Sequence, residues 1–317
     1  MWQVAIAYGV VASLGFGGAS GVAASVAVTY WFTQRRGLAF ALVEAGFGVG
    51  QLLLVPAALA AIPAFGWRWA LIGAACVLTV VVAPVLWRYL RDRPEQVGLL
   101  PIGGPLPPAG TETPGAFVPG GVRDLLRSRP FWGLAVPFFV CGITTTGLVD
   151  THLIPLAQDR GISGATTGLA VALLAAANVT GILASGPLAD RVDNRLLLFG
   201  LYATRGLSLV VLLSLVDAQA LIGFALLFGL VDFSTVAPTQ WLAARYVRPE
   251  TIGVAFGCLN AVHQLGSALG AWLPGVAYDR SGSYDGVLAL AAGTLAVAAV
   301  TCLALPRPRR LAPAPAS

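Results

Sequence analysis

Long apolar runs separated by short charged turns dominate the chain. Nine such runs, at about 4–31, 38–64, 67–90, 131–153, 165–188, 196–215, 219–241, 254–277 and 286–305, reach the length that the hydrocarbon core of a bilayer demands. In lipid each backbone N–H must be satisfied within its own segment, so the pattern predicts nine transmembrane helices. Between about 91 and 130 the pattern breaks. Arg91-Asp92-Arg93-Pro94 opens a stretch rich in Pro and Gly (Pro101, Pro105, Pro107, Pro108, Pro114 and Pro119, with Gly103, Gly104, Gly120 and Gly121). Such a composition cannot pack a core and predicts a solvated linker. Arg123 to Arg129 is a short basic segment expected at the membrane surface before the next span begins at Phe131. The expected layout is a three-span bundle over 1–90, a linker over 91–130 and a six-span bundle over 131–317.

Charge orients these spans. One set of turns carries Arg35, Arg36, Arg88, Arg91, Arg93, Arg123, Arg127, Arg129, Arg191, Arg195, Arg245, Arg248, Arg307, Arg309 and Arg310. The alternating turns carry only Arg68, Arg160 and Arg280. Basic residues concentrate on the cytoplasmic side, so the first set is expected inside, with the C-terminus cytoplasmic and the N-terminus outside. The expected setting is a bacterial inner membrane.

Composition agrees. Of 317 residues, 57% are hydrophobic and 10% charged, far from the quarter or so of charged residues that covers a soluble domain. The net charge of +5 would suggest nucleic acid in a soluble chain; here its distribution carries the meaning, and no nucleic-acid partner is expected. Cys76, Cys141, Cys258 and Cys302 all lie in apolar runs without metal-site spacing, and read as small packed hydrophobes. The start has no basic segment ahead of its apolar run, so no cleavable signal is expected.

The turn Gly186-Pro187-Leu188-Ala189-Asp190-Arg191-Val192-Asp193-Asn194-Arg195 has the form G-x-L-A-D-R-x-x-x-R between two apolar runs. It resembles the signature loop of the major facilitator superfamily of membrane transporters. Trp31-Phe32-x-x-Arg35-Arg36-Gly37-x-Ala39, Gly46-x-Gly48-x-Gly50-Gln51, Gly66-Trp67-Arg68, Thr151-His152-Leu153-Ile154-Pro155, His263-Gln264-x-Gly266 and Tyr278-Asp279-Arg280-x-Gly282-x-Tyr284 extend the resemblance, towards the monocarboxylate and oxalate–formate porter-like branch. The implied fold is all-α and polytopic, nine helices of a twelve-helix plan, with the first span matching the family's fourth helix. Three helices and the first copy of the loop would then precede it. The expectation is a chain beginning at an internal methionine; the rival is a stable nine-helix protein.

Polar groups at membrane depth are costly and therefore candidate functional residues. Asn178, Arg205, Asp232 and His263 fall near the midplane when depth is counted from the span ends. The seventh span carries Asp232, Thr235 and Thr239 as one stripe, and the eighth carries Asn260, His263, Gln264 and Ser267 as another. The resemblance implies that these helices face or flank a central cavity. Asp232 is the leading protonation candidate. Arg205 is either its structural partner, tying two helices, or part of a charge-sensing set with His263. Glu44 either lines the inner mouth of the cavity or snorkels to the interface. Asp150 and His152 read as a solvated helix end rather than a metal pair. Gly15-x-Gly17-Gly18-x-x-Gly21, Gly46-x-Gly48-x-Gly50, Gly253-x-x-x-Gly257 and Gly266-x-x-x-Gly270 lie within spans, without a preceding strand or a P-loop lysine, and read as close helix contacts.

In the loop headed by Gly186, Asp190 follows a helix end and can meet the positive N-terminus of a neighbouring helix, while Arg191 and Arg195 can pair with carboxylates or phosphates. The resemblance implies an inner-gate latch. Val192-Asp193-Asn194 stands where the family more often has glycine and basic residues, which leaves the latch's strength open. The functional expectation is secondary transport of a small solute, an organic acid first, driven by a proton or counter-solute gradient, with no enzyme activity, cofactor or metal. The alternative is a non-transporting membrane protein retained for interaction.

Overall fold

The computed structural model describes residues 2–18, 21–104, 122–214, 217–247 and 251–307. Arg248, Arg309, Arg310 and linker residues 105–121 lie outside the described residues, as does the side chain of Gln51. Helices run over 2–18 (α1), Gly21–Trp31 (α2), Arg36–Phe65 (α3), Trp67–Tyr89 (α4), Val122–Arg127 (α5), Arg129–Asp159 (α6), Gly164–Arg191 (α7), Asn194–Leu213 (α8), Ala218–Tyr246 (α9), Ile252–Ser281 (α10) and Asp285–Leu303 (α11). Among the described residues, seven of these (α4 and α6 to α11) are long and apolar enough to cross a membrane. α3 adds 30 helical residues. The protein is a multi-pass, all-helical membrane protein.

The later helices are knit by glycine. A side chain on Gly142 of α6 would strike the main chain of His263 on α10, and one on Gly270 would strike Ile143. The two backbones therefore approach closely, the arrangement that small residues permit in lipid, where no hydrophobic force drives helices together. α6 widens into a π-helical stretch over Ile143–Val149 at this crossing. Thr144 and Thr145 return their hydroxyls to the carbonyls of Val140 and Cys141 at 2.8 and 2.7 Å, so the loosened backbone keeps its partners.

Several glycines read as contact points front open space instead. A Cβ on Gly15, Gly17, Gly46, Gly50 or Gly257 would meet nothing within 4 Å. The contact expectation fails there because those positions turn away from the other described helices. Gly48 does meet α7, with its Cβ position 3.3 Å from Val179 Cγ2.

α3 packs against the later helices through its first three turns. Gly37, Ala39, Phe40, Ala41 and Ala45 are buried there. Beyond them Leu53, Leu54 and Phe65 are 65–69% exposed. α3 is therefore packed into the later helices at its arginine-rich end, and its exposed side chains further along are those just named. α4 carries no buried residue across its span.

The stretch expected to be solvated linker begins docked. Ile102 pairs with Phe32 in an isolated parallel bridge, the Thr33 amide donates to the Ile102 carbonyl at 2.9 Å, and Trp31 Nε1 donates to the Arg91 carbonyl at 2.8 Å. Residues 91–104 thus strap the turn between α2 and α3, because Trp31 and Phe32 give them apolar surface and unpaired backbone to meet. At the opposite end His152 is buried, with Nε2 2.9 Å from the Ala271 carbonyl and its ring against Tyr284. It is not a solvated helix end; α10 and the turn before α11 close over it.

Candidate functional site

α9 is broken at midspan. Its first segment ends at Val231, Asp232 leaves helical geometry with ψ −82°, Phe233–Thr235 forms a 3-10 turn, and helix resumes at Val236. Pro238 explains the site of the break: it lacks an N–H and its ring crowds the carbonyl of Ser234. A broken helix frees backbone groups that lipid cannot satisfy, and neighbouring helices satisfy them here. Asn178 of α7 accepts from the Phe233 amide at 3.2 Å. Arg205 of α8 donates through Nη2 to the carbonyls of Val231, at 2.6 Å, and of Asp232.

Arg205 is fully buried. Its Nη1 lies 3.1 Å from Cys141 Sγ, and its guanidinium stands over the rings of Tyr202 and Phe228 at 5.5 and 5.8 Å. The Arg205 and Asp232 side chains form no ion pair; the contact runs to the main chain instead. Asp232 Oδ1 is buried without a hydrogen-bond partner. The structure therefore brings Asn178, Arg205 and Asp232 to one point, with Cys141 and Thr235 completing it at a sulfur–oxygen distance of 3.5 Å. Cys141 reads as a packing residue in the sequence; its role against Arg205 appears only once α6 and α8 are side by side.

His263 on α10 also neighbours Cys141. Its Nδ1 lies 3.2 Å from Gln264 Oε1, and its ring packs on Phe138 with centroids 4.7 Å apart. Gln264 is exposed, and Asn260, one turn away, is partly buried. These three make a second polar patch that adjoins the break through Cys141.

The loop headed by Gly186 meets the start of α3. Arg35 turns the chain with φ 53°, and its side chain gives α3 no cap. Asp190 supplies one from α7: Oδ1 accepts from the Gly37 amide at 2.8 Å and Oδ2 from the Leu38 amide at 3.0 Å. A carboxylate there satisfies two orphan donors and meets the positive end of the helix dipole. Gly37 and Gly186 permit the approach, since a Cβ on Gly37 would stand 2.5 Å from the Gly186 carbonyl. Arg195 works within the later helices. It forks onto Asp193 at 2.9 and 3.1 Å and donates to the Leu305 carbonyl at 2.9 Å, fastening the start of α8 to the end of α11. That guanidinium holds the Asp193 carboxyl below the usual carboxylate range. Arg191 is exposed.

Comparison with known proteins gives one answer. The family model described as Major Facilitator Superfamily matches residues 1–156 and 140–317. The chain is similar to an uncharacterized MFS-type transporter, YcxA, of Bacillus subtilis, at 29% identity over 87% of this chain and 66% of the relative. It is similar to human monocarboxylate transporter 11 at 30% identity over 87% of this chain and 58% of the relative. It also resembles the membrane sensor protein UhpC of Escherichia coli, at 25% identity over 89% of this chain and 67% of that protein. The chain thus spans about two-thirds or less of the length of the first relatives it matches. With both sequence regions matched, and with the signature loop capping a helix across the molecule, the chain belongs to the major facilitator superfamily.

Proposed function

We propose that this protein moves a small solute across a membrane by alternating access, with the arginine-rich end cytoplasmic and closed in the conformation described. The observation that carries the reading is the Asp190 cap on α3. It joins the helices before residue 105 to those after residue 121 at the arginine-rich end. Opening the arginine-rich end would break two charge-assisted hydrogen bonds and expose Gly37 and Gly186 to each other no longer, so the loop acts as a latch.

The broken α9 supplies the element to which a solute or proton can be coupled, since unwound helices at midspan are where transporters place such sites. Asp232, with an unpartnered carboxyl oxygen, is the proton-coupling group of this reading. Arg205 and Asn178 hold the break in shape. Asn260, His263 and Gln264 form the solute-facing patch on α10. An organic acid is the leading solute class, from the resemblance to relatives named as monocarboxylate transporters, and a proton or counter-solute gradient is the driving force. Residues 1–90 and 131–317 act as the two moving bundles, in the inner membrane of a bacterium.

Reconstituted vesicles test this. Uptake of labelled lactate should rise with an imposed proton gradient, and Asp232→Asn should abolish the gradient-driven component while the protein keeps its elution profile. Full gradient-driven uptake in Asp232→Asn would end Asp232's assignment.

A further inference from the structure

Residues 32–35 separate α2 from α3. The last of them, Arg35, is left-handed with φ 53°, and among the described residues no other non-glycine residue has a positive φ. A Cβ disfavours that conformation, which persists only where surrounding contacts over-determine it. The Arg35 carbonyl nevertheless opens α3, accepting from the Ala39 amide at 3.1 Å. The backbone at Arg35 thus sets the direction in which α3 leaves the turn, and with it where the Gly37 and Leu38 amides point.

The contacts that over-determine it come from residues 91–104. The Thr33 and Gln34 amides both donate to the Ile102 carbonyl, at 2.9 and 3.2 Å, and the Ile102 amide returns a bond to the Trp31 carbonyl at 2.8 Å. The Thr33 hydroxyl donates to the Gly104 carbonyl at 3.1 Å. Arg93 lies over the Tyr30 ring at 4.6 Å, and Pro94 and Pro101 are buried. Gly103, with φ 101°, permits the close passage: a Cβ there would stand 2.5 Å from Gln34 Cγ. Across the turn itself, Arg36 donates to the carbonyls of Phe32 and Thr29 at 2.6 and 3.1 Å.

Strap and latch therefore grip one short stretch from opposite sides of Arg35. The strap holds Trp31, Thr33 and Gln34 before it, and Asp190 holds Gly37 and Leu38 after it. We propose that residues 91–104 are a positioning element for the inner latch, keeping Arg35 left-handed so that the first amides of α3 face Asp190. This rests on the latch reading above. Residue 105 continues directly from the strap, so the segment that joins the two bundles has a route to the gate through backbone hydrogen bonds.

The test uses the full chain carrying Ala41→Cys, with labelling of that thiol by a water-soluble maleimide followed at residue 41 by peptide mass spectrometry. Gly103→Val, which drives a side chain into Gln34 and cannot hold its φ, should undock the strap and speed labelling by about fivefold. Thr33→Val keeps the shape, loses one donor and should give a smaller increase; it carries the same test if Gly103→Val does not fold. Because the strap acts through the latch, Gly103→Val should add nothing in an Asp190→Ala background. Arg35→Asn, a residue that tolerates the left-handed region, should return Gly103→Val towards the slow rate, a rescue that general loosening would not show. Unchanged labelling in the folded strap variants would overturn the proposal. So would the same multiplicative increase with and without Asp190, or no rescue by Arg35→Asn. The two readings separate: fast labelling in Asp190→Ala with no effect of the strap variants sinks this inference alone, whereas no effect of Asp190→Ala removes the latch and this inference with it.

Discussion

Asp190 and Gly37, 153 residues apart in sequence, are joined by a hydrogen bond of 2.8 Å from the Gly37 amide to the Asp190 carboxylate. With the Leu38 amide on the other oxygen, the whole carboxylate is spent on the first turn of α3. The bond links two sets of helices, α3 on one side and α7 on the other.

Asp190→Ala should loosen that end. Losing a helix cap costs about 1–2 kcal/mol, enough to shift a two-state balance several-fold. Ala41 is fully buried against α7, so a cysteine placed there reports the change. Its alkylation by a water-soluble maleimide should speed up in the Asp190→Ala background and less so in Asp190→Asn, which keeps one acceptor.

Arg205→Ala should destabilise the protein more than Asp232→Asn. It strands two buried carbonyls, each costing about 1–3 kcal/mol when left unsatisfied, whereas Asp232 Oδ1 already has no partner to lose. Thermal unfolding of the two variants in the same detergent gives the order directly.

Gly266→Val should abolish the folded form or nearly so. Its side chain would press on the backbone of Phe139 and Ile143, which cannot move as a flexible side chain would. Overpacking of this kind costs about 1–3 kcal/mol or more. Gly257→Val, facing open space, should leave the unfolding temperature unchanged, and comparing the two isolates the crossing of α6 and α10.

Asp193 gives a pH dependence whose sign is fixed by its partner. Arg195 holds the folded carboxyl below its unfolded value, so the pair stabilises above the ordinary carboxylate range and the contribution disappears as pH falls through the folded value. Wild type should therefore exceed Asp193→Asn in unfolding temperature at neutral pH, and the gap should shrink as pH falls below the ordinary carboxylate range. A gap that persists unchanged into acid would contradict the pair's role.

Much of this was legible from residues alone, and the limits have physical causes. Asp190 was expected just past a helix end, where a carboxylate seeks backbone donors; it lies instead in the last turn of α7, and that the donors belong to α3 needed the fold. Arg205 and Asp232 could be placed at one depth, but charge and depth suggest a side-chain pair. Only Pro238 hinted that α9 breaks and offers carbonyls, which draw the guanidinium away from the carboxylate. The docked strap over 91–104 was hidden because Pro and Gly composition speaks to intrinsic stiffness and not to an aromatic turn waiting at Trp31 and Phe32. Glycine spacing could not tell Gly266, pressed on α6, from Gly257, facing open space, since both sit at identical intervals on one helix.

The most direct test of alternating access is a pair of spin-label distances across the two ends, Gln34 to Arg191 at the arginine-rich end and Trp67 to Gly161 at the other, measured in wild type and in Asp190→Ala. The account predicts that removing the latch lengthens the first distance and shortens the second together. Lengthening of the first with the second unchanged would contradict it, because the latch would then hold a local contact and not the balance between two faces.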